Sequence, residues 1–165
     1  MNTSHDSVPT ASGYAHATTA GDHAHATTAG SYANATTAGD EAHATTAGGY
    51  AHATTAGDEA HATTVGNDAN ATTAGYSAHA TTTGRLAHAL TTGRRSNASV
   101  SGENSIAAAF GANSCARAAA GGFIVLAQYD GDTVVAVKTA QVGRDGIKPD
   151  TWYKLSPTGE FVEAE

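Results

Sequence analysis

From residue 11 to residue 118 small apolar and polar side chains alternate along the chain at period two, interrupted every nine residues by glycine. The unit is best preserved as Ala-Gly-x-x-Ala-His-Ala-Thr-Thr between Ala20 and Thr64, and twelve such nonapeptides follow one another. Successive side chains of an extended strand point to opposite faces, so Ala24 and Ala26 share one face while His25 and Thr27 share the other. Glycine recurs from Gly21 through Gly30 and Gly39 onward to Gly111, with Ser12 in its place at the first repeat. A residue without Cβ at a fixed interval marks a turn that needs unusual backbone angles.

The two residues after each glycine reveal a longer unit. Tyr14, Tyr32 and Tyr50 recur every eighteen residues, while Asp22, Asp40-Glu41 and Asp58-Glu59 fill the intervening turns. This alternation predicts coils of two strands and two turns, with tyrosines stacked along one edge and carboxylates along the opposite one. The phase drifts later, where Asp68 takes a tyrosine place and Tyr76 falls on the acidic side. Twelve nonapeptides make six coils, and at a strand spacing of about 4.8 Å the roll would be roughly 25 to 30 Å long. A helix competes on alanine content, but a glycine and a Thr-Thr pair in every repeat oppose it. Disorder competes on low aromatic content. Strict self-similarity favours a parallel β-solenoid.

From Thr83 the pattern loosens, and Leu86, Leu90, Val100, Ile106 and Phe110 enter. Larger side chains toward one end predict a solenoid thickening into a cap, which blunts the open strand edge. After Gly121-Gly122 the grammar changes. Phe123 to Tyr129 reads as a buried strand, Asp130-Gly131-Asp132 as a tight turn, and Thr133 to Thr139 as the hairpin partner. Thr151 to Leu155 and Glu160 to Glu163 read as two further strands, with Phe123, Val125, Trp152, Tyr153 and Phe161 as the cap's apolar cluster. The expected fold is therefore all-β: a flexible N-terminus over 1–10, a β-solenoid of two-strand, eighteen-residue coils over 11–121, and a small antiparallel β cap over 122–165.

Charge narrows the function classes. The net −7 is unevenly placed: residues 1–80 carry seven acidic and no basic side chains, and Arg85, Arg94, Arg95 and Arg117 then oppose Glu103. Sequence-independent nucleic-acid binding needs a basic surface, so direct binding is not expected. No apolar run of membrane-spanning length and no signal-like N-terminus is present, which points to a cytoplasmic protein without membrane contact. The lone Cys115 excludes an internal disulfide.

The sixth repeat position forms two columns, His16, Asn34, His52, Asn70 and His88 on one face and His25, His43, His61, His79 and Asn97 on the other. Four consecutive imidazoles suit ring stacking or incidental Zn²⁺ or Ni²⁺ binding. The recurring asparagine, which stacks well and ligates poorly, favours a structural ladder with neither metal nor cofactor. No nucleophile and base pair, phosphate loop or paired carboxylate stands apart from the repeat, so enzymatic activity is not expected.

Three resemblances follow from these residues. The alternation of Ala-Gly-Tyr with Ala-Gly-acid-acid is similar to the repeats of bacterial ice-nucleation proteins, although the unit here is longer and the outward pair is His-x-Thr. Calcium-binding β-roll toxins also use nonapeptides, but their Gly-Gly-x-Gly-x-Asp turn is absent, so no calcium site is expected. The solenoid followed by Gly122-Phe-Ile-Val-Leu-Ala127, Gly146-Ile-Lys-Pro-Asp-Thr-Trp-Tyr153 and Gly159-Glu-Phe-Val-Glu163 resembles an uncharacterised family of bacteria and their phages. That resemblance implies a phage or prophage origin and no activity.

The resulting expectation is a non-catalytic binding protein that presents Tyr14, Tyr32 and Tyr50, and Asp40, Glu41, Asp58 and Glu59, to a protein partner, as an inhibitor of a host defence system. A homodimer joined along the tyrosine edge is expected with it. Two alternatives stand beside this reading. One is ice binding by the outward column Thr18, Thr27, Thr36, Thr45, Thr54, Thr63, Thr72 and Thr81; the other is nucleic-acid mimicry by the acidic edge.

Overall fold

The computed structural model describes residues 7–11 and 13–164, with side chains described from Gly13 onward. Every regular element in it is a strand. Odd-numbered strands β1 (Ser7–Ala11), β3 (His25–Ala29), β5 (His43–Ala47), β7 (His61–Val65), β9 (His79–Thr82), β11 (Asn97–Val100) and β13 (Cys115–Ala118) stack as one parallel sheet. Even-numbered strands β2 (His16–Ala20), β4 (Asn34–Ala38), β6 (His52–Ala56), β8 (Asn70–Ala74), β10 (His88–Thr91) and β12 (Ile106–Ala109) stack as the other. Register advances by eighteen residues throughout, His25 opposite His43 and Asn34 opposite His52. This is the expected β-solenoid. Residues 1–6 of the expected flexible N-terminus lie outside the described residues, whereas Ser7–Ala11 pair with β3.

The two sheets face each other across a thin core. Ala24, Ala26 and their equivalents in every coil are fully buried, as period two requires. A third inward column was not anticipated: the second threonine of each pair, from Thr19 and Thr28 to Thr91, is buried with the alanines. The hydroxyls of these nine threonines have no hydrogen-bond partner on the protein.

Glycine is required by the stacking itself. Gly57 sits at φ +146°, and a Cβ there would overlap the carbonyl of Gly39 in the preceding coil. Gly84 has an ordinary φ yet meets the same obstruction from Gly66. The constraint therefore acts between coils, and the left-handed turn residue is a different one, two positions further on: Glu41, Tyr50, Glu59, Leu86 and Arg95 lie at φ 54° to 57°. Backbone bonds continue the ladder through these turns, as in Glu41 N–H to Asp58 C=O at 2.8 Å.

The C-terminal segment closes the roll with antiparallel strands, as expected, and both of its hairpins continue the solenoid's own sheets. β14 (Phe123–Asp130) joins β12 in parallel, and β15 (Thr133–Gln141) folds back on β14 as the expected hairpin, so together they extend the even-numbered sheet. The second hairpin, β16 (Tyr153–Leu155) and β17 (Phe161–Glu163), pairs antiparallel with β13 and extends the other sheet. Pairing with β12 also sets the phase of β14. Ile124 and Leu126 align with inward Ala107 and Ala109 and are buried, while Phe123, expected in the cap's core, points outward. Ile124, Leu126, Val142, Ile147 and Tyr153 continue the alanine core. The Tyr153 hydroxyl accepts a bond from Lys148 N–H at 2.9 Å.

Candidate functional site

The seven residues singled out in the sequence fall on the two opposite narrow edges of the roll. On one edge, the rings of Tyr14, Tyr32 and Tyr50 stack at 5.2 and 5.3 Å with interplanar angles of 9° and 12°. They remain 71 %, 45 % and 52 % exposed, so the stack forms a ridge whose outer side is open to solvent. Asn67-Asp68, Arg85-Leu86 and Glu103-Asn104 occupy the following turns of the same edge, which ends the aromatic run after three coils.

The opposite edge is acidic, but its two carboxylate types are used differently. Aspartates bond to the next coil: Asp22 Oδ1 accepts the Asp40 N–H at 3.3 Å, Asp40 Oδ1 that of Asp58 at 2.9 Å, and Asp58 Oδ1 that of Tyr76 at 2.7 Å. Asp40 and Asp58 thus serve coil stacking. The glutamates project sideways, with Glu41 Oε2 lying 3.2 Å from His23 Nδ1. The edge loses its negative charge where Tyr76-Ser77 and Arg94-Arg95 replace the acids, and the Arg95 guanidinium lies over the Tyr76 ring at 5.6 Å.

The histidines, read from sequence as a ladder, add a feature that the edges alone did not suggest. His25, His43, His61 and His79 stack at 4.8 Å with planes 3° to 8° apart. Glu41, Glu59, His43, His61, His79 and Ser77 line a shallow groove of about 370 Å³ where the acidic edge meets this sheet. Burial is the main cause that lowers the pKa of His43, His61 and His79, and neighbouring imidazoles add to it at His43 and His61. The neutral form of these three imidazoles is thereby favoured beside two carboxylates. The signal was present in the nine-residue spacing, but only the coil's corner shows that fourth-position glutamates and sixth-position histidines share one wall.

Asparagine fits the ladder as expected. The Asn34, Asn70 and Asn97 side-chain amides meet the Nδ1 atoms of His16, His52 and His79 at 3.3 to 3.4 Å. Cys115 continues the column beyond Asn97, and burial raises its thiol pKa against the opposing pull of Lys154. Among the described residues no group of three or more His, Cys, Asp and Glu is arranged to hold a metal ion. None of their elements is a helix long and apolar enough to cross a membrane. Comparison with protein-family models, with curated proteins and with solved structures gave no match.

Proposed function

We propose that the protein is a non-catalytic binding protein that docks its Tyr14, Tyr32 and Tyr50 ridge on a protein partner. The observation that supports this reading is the exposed aromatic stack. Three rings already fixed by mutual stacking offer contact area at a low further entropy cost, and their hydroxyls supply hydrogen bonds at the rim. The acidic edge plays the lesser part, because Asp40 and Asp58 are engaged with the backbone of the next coil. Taken with the C-terminal segment's resemblance to phage and prophage proteins, the partner is a host protein and the role is inhibition of a defence system. The test is affinity capture from a host lysate with the wild type, a Tyr14→Ala, Tyr32→Ala, Tyr50→Ala triple variant and a Glu41→Gln, Glu59→Gln control. A partner held by the wild type and control but lost from the triple variant supports the ridge; equal capture by all three removes it.

A second reading draws on the threonine faces. Thr27, Thr45, Thr63 and Thr81 lie in register on one sheet and Thr18, Thr36, Thr54 and Thr72 on the other, and on the first sheet the neighbouring imidazoles stack with planes 3° to 8° apart. A flat, regular hydroxyl array suits ice. Bulky histidines beside it oppose this use, and absence of thermal hysteresis at high protein concentration would end the reading.

A further inference from the structure

The two sheets end very differently at the C-terminus. The outermost strand of one is β17, three residues long and tied at its end by a Lys148 Nζ to Glu163 Oε1 bond of 2.6 Å. The outermost strand of the other is β15, nine residues long, with Lys138 as its one charged side chain and no proline. Short strands, charges and prolines are how sheet edges are protected from pairing. β17 has such protection and β15 largely lacks it.

The face beside this edge is apolar. Phe123, Val125 and Ala127 alternate with the buried Ile124 and Leu126, so they lie on the outer face, and cross-strand partners share a face. Val137 opposite Ala127 and Val134 opposite Tyr129 therefore extend the same surface. Phe123, Val134, Val135 and Val137 are 41 %, 51 %, 53 % and 53 % exposed. The aligned places hold Ile106 and Ala108 in the preceding coil, His88 and Leu90 before it, and Asn70 and Thr72 before those, so the apolar surface gives way to polar side chains away from this end.

We infer that β15 pairs with β15 of a second copy, antiparallel about a two-fold axis, joining two even-numbered sheets into one. The edge suits itself in length and in charge. With the axis at Val137, Val137 meets its own equivalent, Lys138 faces Ala136 of the other copy, and no like charges meet directly. The irregularity at Gln128/Tyr129, which leaves Val135 as an extra residue, falls away from the axis. Nine paired residues span roughly 30 Å, and an edge contact of this kind buries less than a standard interface, so the dimer is reversible and concentration-dependent.

Sedimentation of the full chain over a concentration series should show a monomer–dimer equilibrium. Val137→Lys, which places like charges opposite each other at the axis, should leave monomer only, and Tyr32→Ala, Tyr50→Ala should leave the dimer intact. To separate pairing from any effect of Val137→Lys on folding, a second route uses Val137→Cys in a Cys115→Ser background. Equivalent residues of an antiparallel pair lie within disulfide reach, so mild oxidation should give a covalent dimer, and Val162→Cys on β17 should not. A monomer at every concentration, absence of Val137→Cys cross-linking, or loss of the dimer in the tyrosine variant would overturn the inference.

Discussion

Replacing one buried threonine by valine should stabilise this protein. Thr46 is fully buried, and its hydroxyl is among those without a protein partner. Valine has nearly the same shape, and the chain already accepts it in this column: Val100 is buried directly opposite Thr82. An unsatisfied buried polar group costs about 1 to 3 kcal/mol, and exchange for an apolar isostere removes that cost. Thr46→Val should therefore raise stability by about 1 kcal/mol or more, or about 2 to 4 °C in melting temperature for a chain of this size. Thermal unfolding followed by circular dichroism measures it, with Thr45→Val on the outer face as a control expected within about 0.5 kcal/mol of the wild type. If Thr46→Val lowers the midpoint by several degrees while Thr45→Val leaves it unchanged, the inner hydroxyls carry a bonded ladder and the reasoning from unsatisfied hydroxyls fails.

Gly57→Ala should cost roughly 3 kcal/mol or more, since the added methyl must displace the Gly39 carbonyl while the backbone stays at φ +146°; a denaturant midpoint close to the wild type would contradict the close coil contact. Leu86→Gly should act in the opposite direction, gaining about 0.5 to 1 kcal/mol, because Leu86 is exposed and held at φ 55° where a Cβ is disfavoured; an unchanged or lower midpoint would show that its contacts outweigh the strain. Stability should also fall in mild acid. The folded pKa values of His43, His61 and His79 are lowered, so as the pH drops below about 6.5 the unfolded chain takes up protons first and stability declines through the folded values. Denaturant titrations from neutral to mildly acidic pH should show this decline, and His61→Asn should make it shallower; identical slopes would remove the histidine column as its source.

Much of the roll was legible because repetition carries its own geometry. Gly21 to Gly111, the alternation at Ala24 to Thr27, and the double period of Tyr14, Tyr32 and Tyr50 led directly to strands, coils and edges. The same alternation placed Thr28 with Ala24 and Ala26, yet a hydroxyl's preference for water obscured an inward column that the parity already implied. The phase of β14 was hidden for a different reason. Phe123 and Ile124 are both apolar, so the choice of inner face came from pairing with β12. The groove beside Glu41 and Glu59 depends on how the turn presents its side chains to the neighbouring sheet, and linear spacing does not determine that. The tyrosine stack was foreseen as a column, while the extent of its exposure required the coil.

The equivalence of the two sheets has a consequence for how such a chain can change length. Each nonapeptide fits either sheet, because both accept the same Ala-x-Thr inner surface. Gain or loss of two repeats lengthens or shortens the roll and leaves every column where it was. Gain or loss of a single repeat also leaves a continuous ladder, but it carries everything downstream to the other side: acids arrive where aromatics stood, and the long terminal hairpin changes sheets. Asp68 below the tyrosines and Tyr76 below the acids have the appearance of such a slip. A repeat of nine in a coil of eighteen thus lets one recombination event exchange the molecule's two edges with its backbone path intact.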